Sequence, residues 1–391
     1  FTGYLARDDR SGAWRLASTV INLLLVLLTL TAVLSAFVAP WLVNHVIAPG
    51  FAAESAQKTA LTVRLMRVML VSSVVFGVSG VVMGALNAHQ HFLLPAIAPI
   101  FYNLAIIGSA LFLAPRMGVM GLAFGVVIGA VLHLLVQLPG LRHYGATFTP
   151  RLTMRDPGVQ QVARLMGPRV LGLAVVQLNF IVNTNLASRM GAGAVSALTY
   201  AWLLMLLPQG ILAQAVATAA FPTFAEQVAR GEQEAMRSAL AATLRVIFAL
   251  SLPAAVGLAV LRRPLVALLF ERGAFDQVST QLVAWALLFY ALGLVAHAGL
   301  EIVARAFYAM HDTKTPLIVG GGAMLLNVVL SLALPPLFSA VGWLPHGGLA
   351  LANSLATLLE LTGLLWIIRN RLQGLEGRAS FSMLLRSALA A

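Results

Sequence analysis

The sequence predicts an all-α integral membrane protein that crosses the bilayer about ten times, and three observations carry that prediction. Hydrophobic residues make up 60% of the chain, charged residues 10%, and mean hydropathy is +0.91, whereas a soluble domain carries about 25% charged residues. Ten apolar stretches reach the roughly 20 residues a helix needs to span the hydrocarbon core. A polar corner is also written twice, as "NAHQHFLLP" at residues 87–95 and "YAMHDTKTP" at 308–316, so that Ala88 and Ala309, and Pro95 and Pro316, stand 221 positions apart.

Taken in order, the first stretch, 18–43, leads from "RLAST" to "APGF". The second, 61–86, carries Ser73 and a stripe of small residues, Gly77, Gly80 and Gly84, that would let helices approach closely. The third, 92–114, opens on Pro95, where a missing N–H costs nothing in a helix's first turn, and holds Asn103. The fourth, 119–141, opens on Gly121–Ala123. The fifth and sixth, 165–188 and 195–221, bring Asn179, Asn183 and Asn185, then Trp202 and Leu203. The seventh, 238–262, holds Arg245, and the eighth, 279–305, holds His297, Glu301 and Arg305. The ninth, 316–340, opens on Pro316, passes Gly320–Gly322 as a hinge or packing site, and contains Asn327 and Ser331; the tenth, 347–368, opens on Gly348–Ala350 and contains Asn353 and Glu360. An eleventh begins near Phe381. Backbone groups cannot stay unpaired in hydrocarbon, so the spans are helices. No alternating ten-residue pattern supports a barrel.

The net charge of +12 could indicate a nucleic-acid partner, but the cations sit in short corners and on no single face, which is the pattern of membrane orientation. Nucleic acid is therefore excluded and membrane lipid expected. Alternate corners collect sixteen of the 25 basic residues, including Arg10, Arg142, Arg151, Lys314 and Arg371; the others collect eight, from Lys58 to Arg272, with Arg245 left inside a span. The richer set, which includes both repeated corners, belongs in the cytoplasm. With no Cys there is neither a disulfide nor a thiolate metal site. His89, His91 and His311 lie in corners without metal-ligand spacing and read as solvated. No signal peptide is visible.

The two corners belong to a longer repeat. A span, a short "APGF" or "ERGAF" turn, a long span, a polar corner ending in Pro, a span carrying Asn and a Gly-Leu-Ala start occur twice in the same order. Four helices thus match four, and the second set is preceded by two more. Since Phe1 is not an initiator and Phe1–Arg7 reads as the tail of an element, two helices are expected upstream, giving two pseudo-symmetric six-helix lobes with the first truncated. Residues 1–145 form the first lobe, 146–158 a cytoplasmic linker, 159–371 the second lobe and 372–391 the start of a further span. Parallel repeats about an axis along the membrane normal are a transporter plan, with substrate between the halves.

"APGF", "NAHQHFLLPAIAPIFYNLAIIGSALF", "QLPGLRHYG", "LMGPRVLG", "NTNLAS", "LPQGILAQAVATAAFPTFA" and "RAFYAMHDTKTP" resemble the MurJ (MviN) family of lipid II flippases, within the multidrug/oligosaccharidyl-lipid/polysaccharide exporter superfamily. The resemblance runs from Phe1 to about Arg371 and implies helices 3 to 12 of a fourteen-helix protein of the bacterial inner membrane. It also implies lipid II, an undecaprenyl-diphosphate-linked disaccharide-pentapeptide, as partner, with the chain expected to act as a monomer. The family's functional arginines of helices one and two have no counterpart here, and where many members carry an acidic–Arg pair after "YA" this chain has Trp202 and Leu203. The reading expects a chain without upstream helices to be inactive.

Charges inside spans are costly and face a cavity or each other. His297, Glu301 and Arg305 recur at i, i+4 and i+8 on one helical face; with the lone mid-span charges Arg245 and Glu360 they form the candidate substrate-binding set. Asn183, Asn327, Ser331 and Asn353 form a candidate cation site, since Na⁺ prefers oxygen ligands; interhelical hydrogen bonding is the competing reading. No cofactor is expected. No Walker A motif is present, so a Na⁺ or H⁺ gradient is the candidate driver. An integral-membrane enzyme acting on polyprenyl substrates would need grouped carboxylates or histidines, and the 13 acidic residues form no DxxD or HExxH. Within transport, a drug/cation antiporter or another polysaccharide-lipid exporter is the alternative.

Overall fold

The computed structural model describes residues 1–374, apart from the side chains of Pro168, Arg169, Leu171 and Val175. The span expected near Phe381 lies outside these residues. Among the described residues, ten helices are long and apolar enough to cross a membrane: α1 (Arg10–Ile47), α2 (Ala56–Ala88), α3 (Leu93–Phe112), α4 (Val119–His143), α5 (Pro157–Ser188), α6 (Ala194–Ala229), α7 (Gln233–Val260), α8 (Gln277–Ala309), α9 (Lys314–Ala340) and α10 (His346–Arg371). They coincide with the ten predicted spans. The largest differences, eight residues each, are at the starts of α1 and α5, which run back beyond the apolar stretch, and at the end of α6, which runs on to Ala229. Helices begin at caps and not at hydropathy edges: Asp9 Oδ1 accepts from the Gly12 N–H at 2.8 Å, and Asp156 Oδ1 from that of Gly158 at 2.8 Å. Past the seventh span the chain does not stop but opens a short helix, Arg262–Phe270.

The chain forms two compact units, Phe1–Val175 and Val176–Ala391, with the division inside α5. In the first unit α2 packs on α1 and α4, and α3 on α4. The segment after α4 is pinned to α1, because Ser18 Oγ donates to the Thr147 carbonyl at 3.1 Å and Asn22 Nδ2 to that of Thr149 at 2.9 Å. In the second unit α8 is the hub: 67% of its most apolar stretch is buried, against α6, α7 and α10, while α9 packs on α10. Phe224, Met236, Leu240, Ile247, Ile302, Phe307, Leu364 and Ile368 form one buried cluster there; Leu204, Met205, Leu287, Leu294 and Leu349 belong to another. Lipid tails are as apolar as leucine, so close packing and interhelical hydrogen bonds hold such helices together.

The repeat is present in the backbone. Helices α2 and α8 are both 33 residues long and start and end 221 positions apart. Each starts at a side-chain cap: Ser55 accepts from the Gln57 N–H at 3.2 Å, and Asp276 from that of Ser279 at 2.9 Å. Each ends in a left-handed residue, Gln90 and His311, both at φ 58°. The next N–H then reaches back to close the turn, from His91 to the Leu86 carbonyl and from Asp312 to the Phe307 carbonyl, both 3.0 Å. The Gly-Leu-Ala starts also match: a Cβ on Gly121 would meet the Leu113 carbonyl carbon at 2.6 Å, and one on Gly348 would meet that of Leu334 at 3.0 Å. Leu113 and Leu334 are again 221 apart. Only glycine permits these backbone approaches.

Other expectations need correction. Of the glycine stripe on α2, only Gly77 meets a neighbour, Leu28 of α1; Gly80 and Gly84 face open space. Of Gly320–Gly322, only Gly320 is filled, by the Glu360 side chain. Within α1, Pro40 lacks the N–H that would meet the Ala36 carbonyl. Arg67 of α2 supplies the donor from its Nε at 2.9 Å, and the helix continues as a π segment over Leu42–Ile47. In α6, Pro208 is followed by a second π segment, Gln209–Gln214.

Candidate functional site

The candidate substrate-binding residues of the second unit fall into separate joints. On α8, Arg305 donates to Glu301 Oε2 at 2.9 Å and to Gln214 Oε1 of α6 at 3.0 Å, with Thr218 Oγ1 at 3.5 Å. The i, i+4 spacing makes the pair, and the π segment that ends at Gln214 presents the amide to it. Both charged side chains are about one-quarter exposed. They form a hydrogen-bonded ion pair that leaves part of the guanidinium accessible, as the shared helical face predicts.

His297 turns away from that pair. Its Nε2 lies 3.1 Å from Asn353 Oδ1 and 3.3 Å from Thr357 Oγ1, both on α10. An amide oxygen can only accept, so Nε2 carries the proton in this arrangement. The Trp202 ring stands edge-on to His297 at 5.5 Å and to Tyr290 at 5.3 Å, with Phe180 at 6.4 Å. Aromatic packing fills the space around Trp202. Arg245 is half-buried on α7 and is engaged by a neighbour, so it is not the lone charge the sequence suggested. Glu360 is half-buried on α10 with its carboxylate over Gly320.

The candidate cation ligands do not all converge. Asn183, Asn327 and Ser331 meet between α5 and α9, together with Asn179, but Asn353 is with His297 because α10 lies against α8. Asn179 Nδ2 donates to Asn327 Oδ1 at 2.9 Å, Asn183 Nδ2 to Asn179 Oδ1 at 2.7 Å, and Ser331 Oγ to Asn183 Oδ1 at 3.2 Å. Each amide oxygen already has a donor. The buried atom left over is Asn327 Nδ2, itself a donor, and a donor attracts no cation. In this arrangement the group is an interhelical hydrogen-bond joint.

The first unit holds a polar joint that the sequence reading missed. Ser79 of α2 and Gln137 of α4 are fully buried and His133 nearly so. Ser79 Oγ is 2.8 Å from His133 Nδ1, and Gln137 Nε2 donates to Ser79 Oγ at 2.9 Å and to the His133 carbonyl at 2.8 Å. Gln137 Oε1 is buried without a partner. The available signal was polar residues four apart, "HLLVQ", on an otherwise apolar span.

The two repeated corners are fastened differently. In the second unit Asp312 accepts from the Thr315 N–H at 2.9 Å and its hydroxyl at 2.6 Å, and pairs with Arg371 of α10 at 2.6 Å. The Thr315 bonds, then Arg371, hold the Asp312 carboxyl far below the usual carboxylate range. In the first unit His89 stacks on Tyr144 at 4.4 Å and 9°, and on Trp14 at 5.6 Å. Burial, and then the Arg10 charge, push His89 below its ordinary 6.5. His89 and His91 each bury Nε2, so they are packed and not solvated as the sequence suggested; His311 is exposed.

A family model described as Lipid II flippase MurJ matches residues 1–391. A lipid II flippase MurJ from Burkholderia cenocepacia is 34% identical over 351 residues, 88% of this chain and 67% of the relative. A probable lipid II flippase MurJ from Rhizobium tropici is 34% identical over 366 residues, 92% and 67% respectively. The chain thus spans about two-thirds of the length of these relatives. Among solved structures, an inward-closed lipid II flippase MurJ superposes with TM-score 0.81 at 24% identity, covering 97% of this chain and 77% of that one. An inward-facing multidrug-resistance MATE transporter of the MOP superfamily gives 0.77 at 17%, covering 95% and 84%; at these identities both show the fold. With the family model matched from end to end, the chain belongs to the MurJ family of lipid II flippases.

Proposed function

We propose that this multi-pass protein of the bacterial inner membrane translocates lipid II across the bilayer by alternating access of two pseudo-symmetric lobes. The observation that carries the reading is the family match over residues 1–391, on a fold in which α2 and α8 repeat in length, caps and closing turn. It is a transporter and not an enzyme. The lobes are taken as 1–145 and 159–371, joined by 146–158, in a monomer whose repeated corners face the cytoplasm. Arg305, fixed by Glu301 and Gln214 yet partly accessible, is the cation of the second lobe best presented to a diphosphate. Arg245, His297 and Glu360 complete its polar set. A Na⁺ or H⁺ gradient drives the cycle; Na⁺ at Asn183, Asn327 and Ser331 would first have to displace the donors that now occupy their oxygens.

The test is reconstitution in liposomes with fluorescent lipid II and a membrane-impermeant quencher, beside a cationic-dye efflux assay. With the upstream helices expected from the sequence joined to the chain, protein-dependent quenching of inner-leaflet lipid II, weakened at least tenfold by Arg305→Gln, is expected. Dye efflux without lipid II movement would replace the reading with a drug/cation antiporter.

A further inference from the structure

Glu360 is the one ionisable residue of α10 between His346 and Arg369. It is half-buried, and among the described residues no hydrogen bond or ion pair engages its carboxylate. A carboxylate oxygen lies 2.9 Å from where a Cβ would stand on Gly320 of α9, so glycine at that position makes the notch that receives it. Among the described residues, the elements packed around α10 offer it no free counter-charge: Arg245 of α7 is engaged elsewhere, and the stretch of α6 that touches α10, Ala194–Pro208, has Tyr200 as its one ionisable residue. Helix α9 has no ionisable residue after Lys314. On α8, His297 is bound to Asn353 and Thr357, and Glu301 and Arg305 to each other and to Gln214.

The repeat adds an independent observation. Helices α4 and α10 start at Val119 and His346, and Gly121 and Gly348 make the same backbone contact, an offset of 227 in both cases. The position of α4 that matches Glu360 is therefore His133, the one ionisable residue of α4 before Arg142. His133 is buried among uncharged groups, Ser79, Gln137 and the Phe76 ring. The last helix of each repeat places a proton-titratable side chain at the same register, Glu360 toward α9 and His133 toward α2, and among the described residues neither has a charged partner.

We propose that Glu360 is a proton-exchange site: its carboxylate takes a proton from water while the Gly320 notch is open to it and returns that proton to water when α9 and α10 next expose it. An unpaired charge is costly in a membrane span, so the cheap way for this group to pass between a wet and a dry setting is to gain or lose a proton. The released proton leaves the carboxylate ionised as before, so the cycle closes without a co-reactant. This deepens the transport reading by naming H⁺ as the coupled ion, and only the second of two measurements rests on that reading.

The first measurement is infrared difference spectroscopy of the full chain in lipid during pH titration. A titrating carbonyl-stretch component of a protonated carboxylic acid is expected over and above those of the chain's other acidic residues, and that component should vanish in Glu360→Gln. Gly320→Ala, which pushes a methyl against the carboxylate, should retain the band at a shifted midpoint. A band unchanged in Glu360→Gln, or no titrating band in the parent, overturns the proposal. The second uses the upstream-extended chain as parent and compares lipid II flipping with and without an imposed pH gradient. The parent should show a several-fold difference and Glu360→Gln a ratio near one; a variant that keeps the parent's ratio also overturns it. If the parent flips no lipid II, the proposed function fails while the infrared result still decides the proton site.

Discussion

Replacing Arg67 with leucine removes the donor that meets the carbonyl stranded by Pro40. The Arg67 Nε–Ala36 O bond is 2.9 Å long, and a hydrogen bond to a charged group contributes about 1.5–3 kcal/mol net. Arg67 is exposed on α2, which places the expected loss at the lower end, about 1.5 kcal/mol. In a Pro40→Ala background residue 40 regains its N–H and the helix can satisfy Ala36 by itself. There the same Arg67→Leu change should cost no more than about 0.5 kcal/mol of lost stem packing, leaving a coupling of about 1 kcal/mol between two residues on different helices. Thermal unfolding of the four purified variants in detergent, followed by tryptophan fluorescence, measures the cycle; at about 2 °C per kcal/mol or less for a chain of this size, the single variant should melt some 2–3 °C lower. An equal cost in both backgrounds would show that Arg67 does not serve the carbonyl freed by the proline, and the argument would fail.

The left-handed residues that close α2 and α8 pay roughly 1 kcal/mol for a conformation glycine adopts freely; Gln90→Gly and His311→Gly should each raise the melting temperature by one or two degrees, and a fall in both would discount the shared turn geometry. The Asp312 carboxyl titrates below its unfolded value of 3.8, so its contribution is complete above that value and is lost as pH falls toward the folded one. Asp312→Asn should therefore melt lower than the parent at neutral pH, with the gap closing as the buffer is taken below about pH 4. A gap independent of pH would assign the effect to packing.

Much of the architecture was legible because its causes are local. Apolar length sets the spans, and the corner "YAMHDTKTP" announces its own helix start, since Asp312 two residues before Lys314 caps α9 in the structure. Helix-face spacing found the Glu301–Arg305 pair for the same reason. Contacts across helices were not legible. Nothing local says that Asn353 will meet His297 and not the Asn183–Asn327 group, because that depends on α10 leaning against α8. Ser79, His133 and Gln137 escaped notice for the related reason that each alone is an unremarkable polar residue in a span. The histidines of "NAHQH" were misread as solvated because Trp14 and Tyr144, which cover His89, come from more than fifty residues away on either side.

The two copies of the repeat suggest a rule for where function resides in this chain. The length, side-chain caps and left-handed closing residues of α2 and α8, and the glycine contacts at Gly121 and Gly348, recur at offsets of 221 and 227, because each is demanded by backbone geometry that both copies must satisfy. The side chains laid on that frame do not recur. One corner is fastened by an aromatic stack through His89 and the other by the Asp312–Arg371 ion pair; matched helices place His133 in one unit and Glu360 in the other; and α2, the counterpart of α8, carries Phe76 and Gly80 where α8 carries His297 and Glu301. Folding alone needs none of these differences, since one chemistry that works at a joint would serve both copies. A transporter built from two such units must nonetheless receive an amphipathic anion on one side and release it on the other. Positions where the frame agrees and the chemistry diverges are therefore the ones to mutate first.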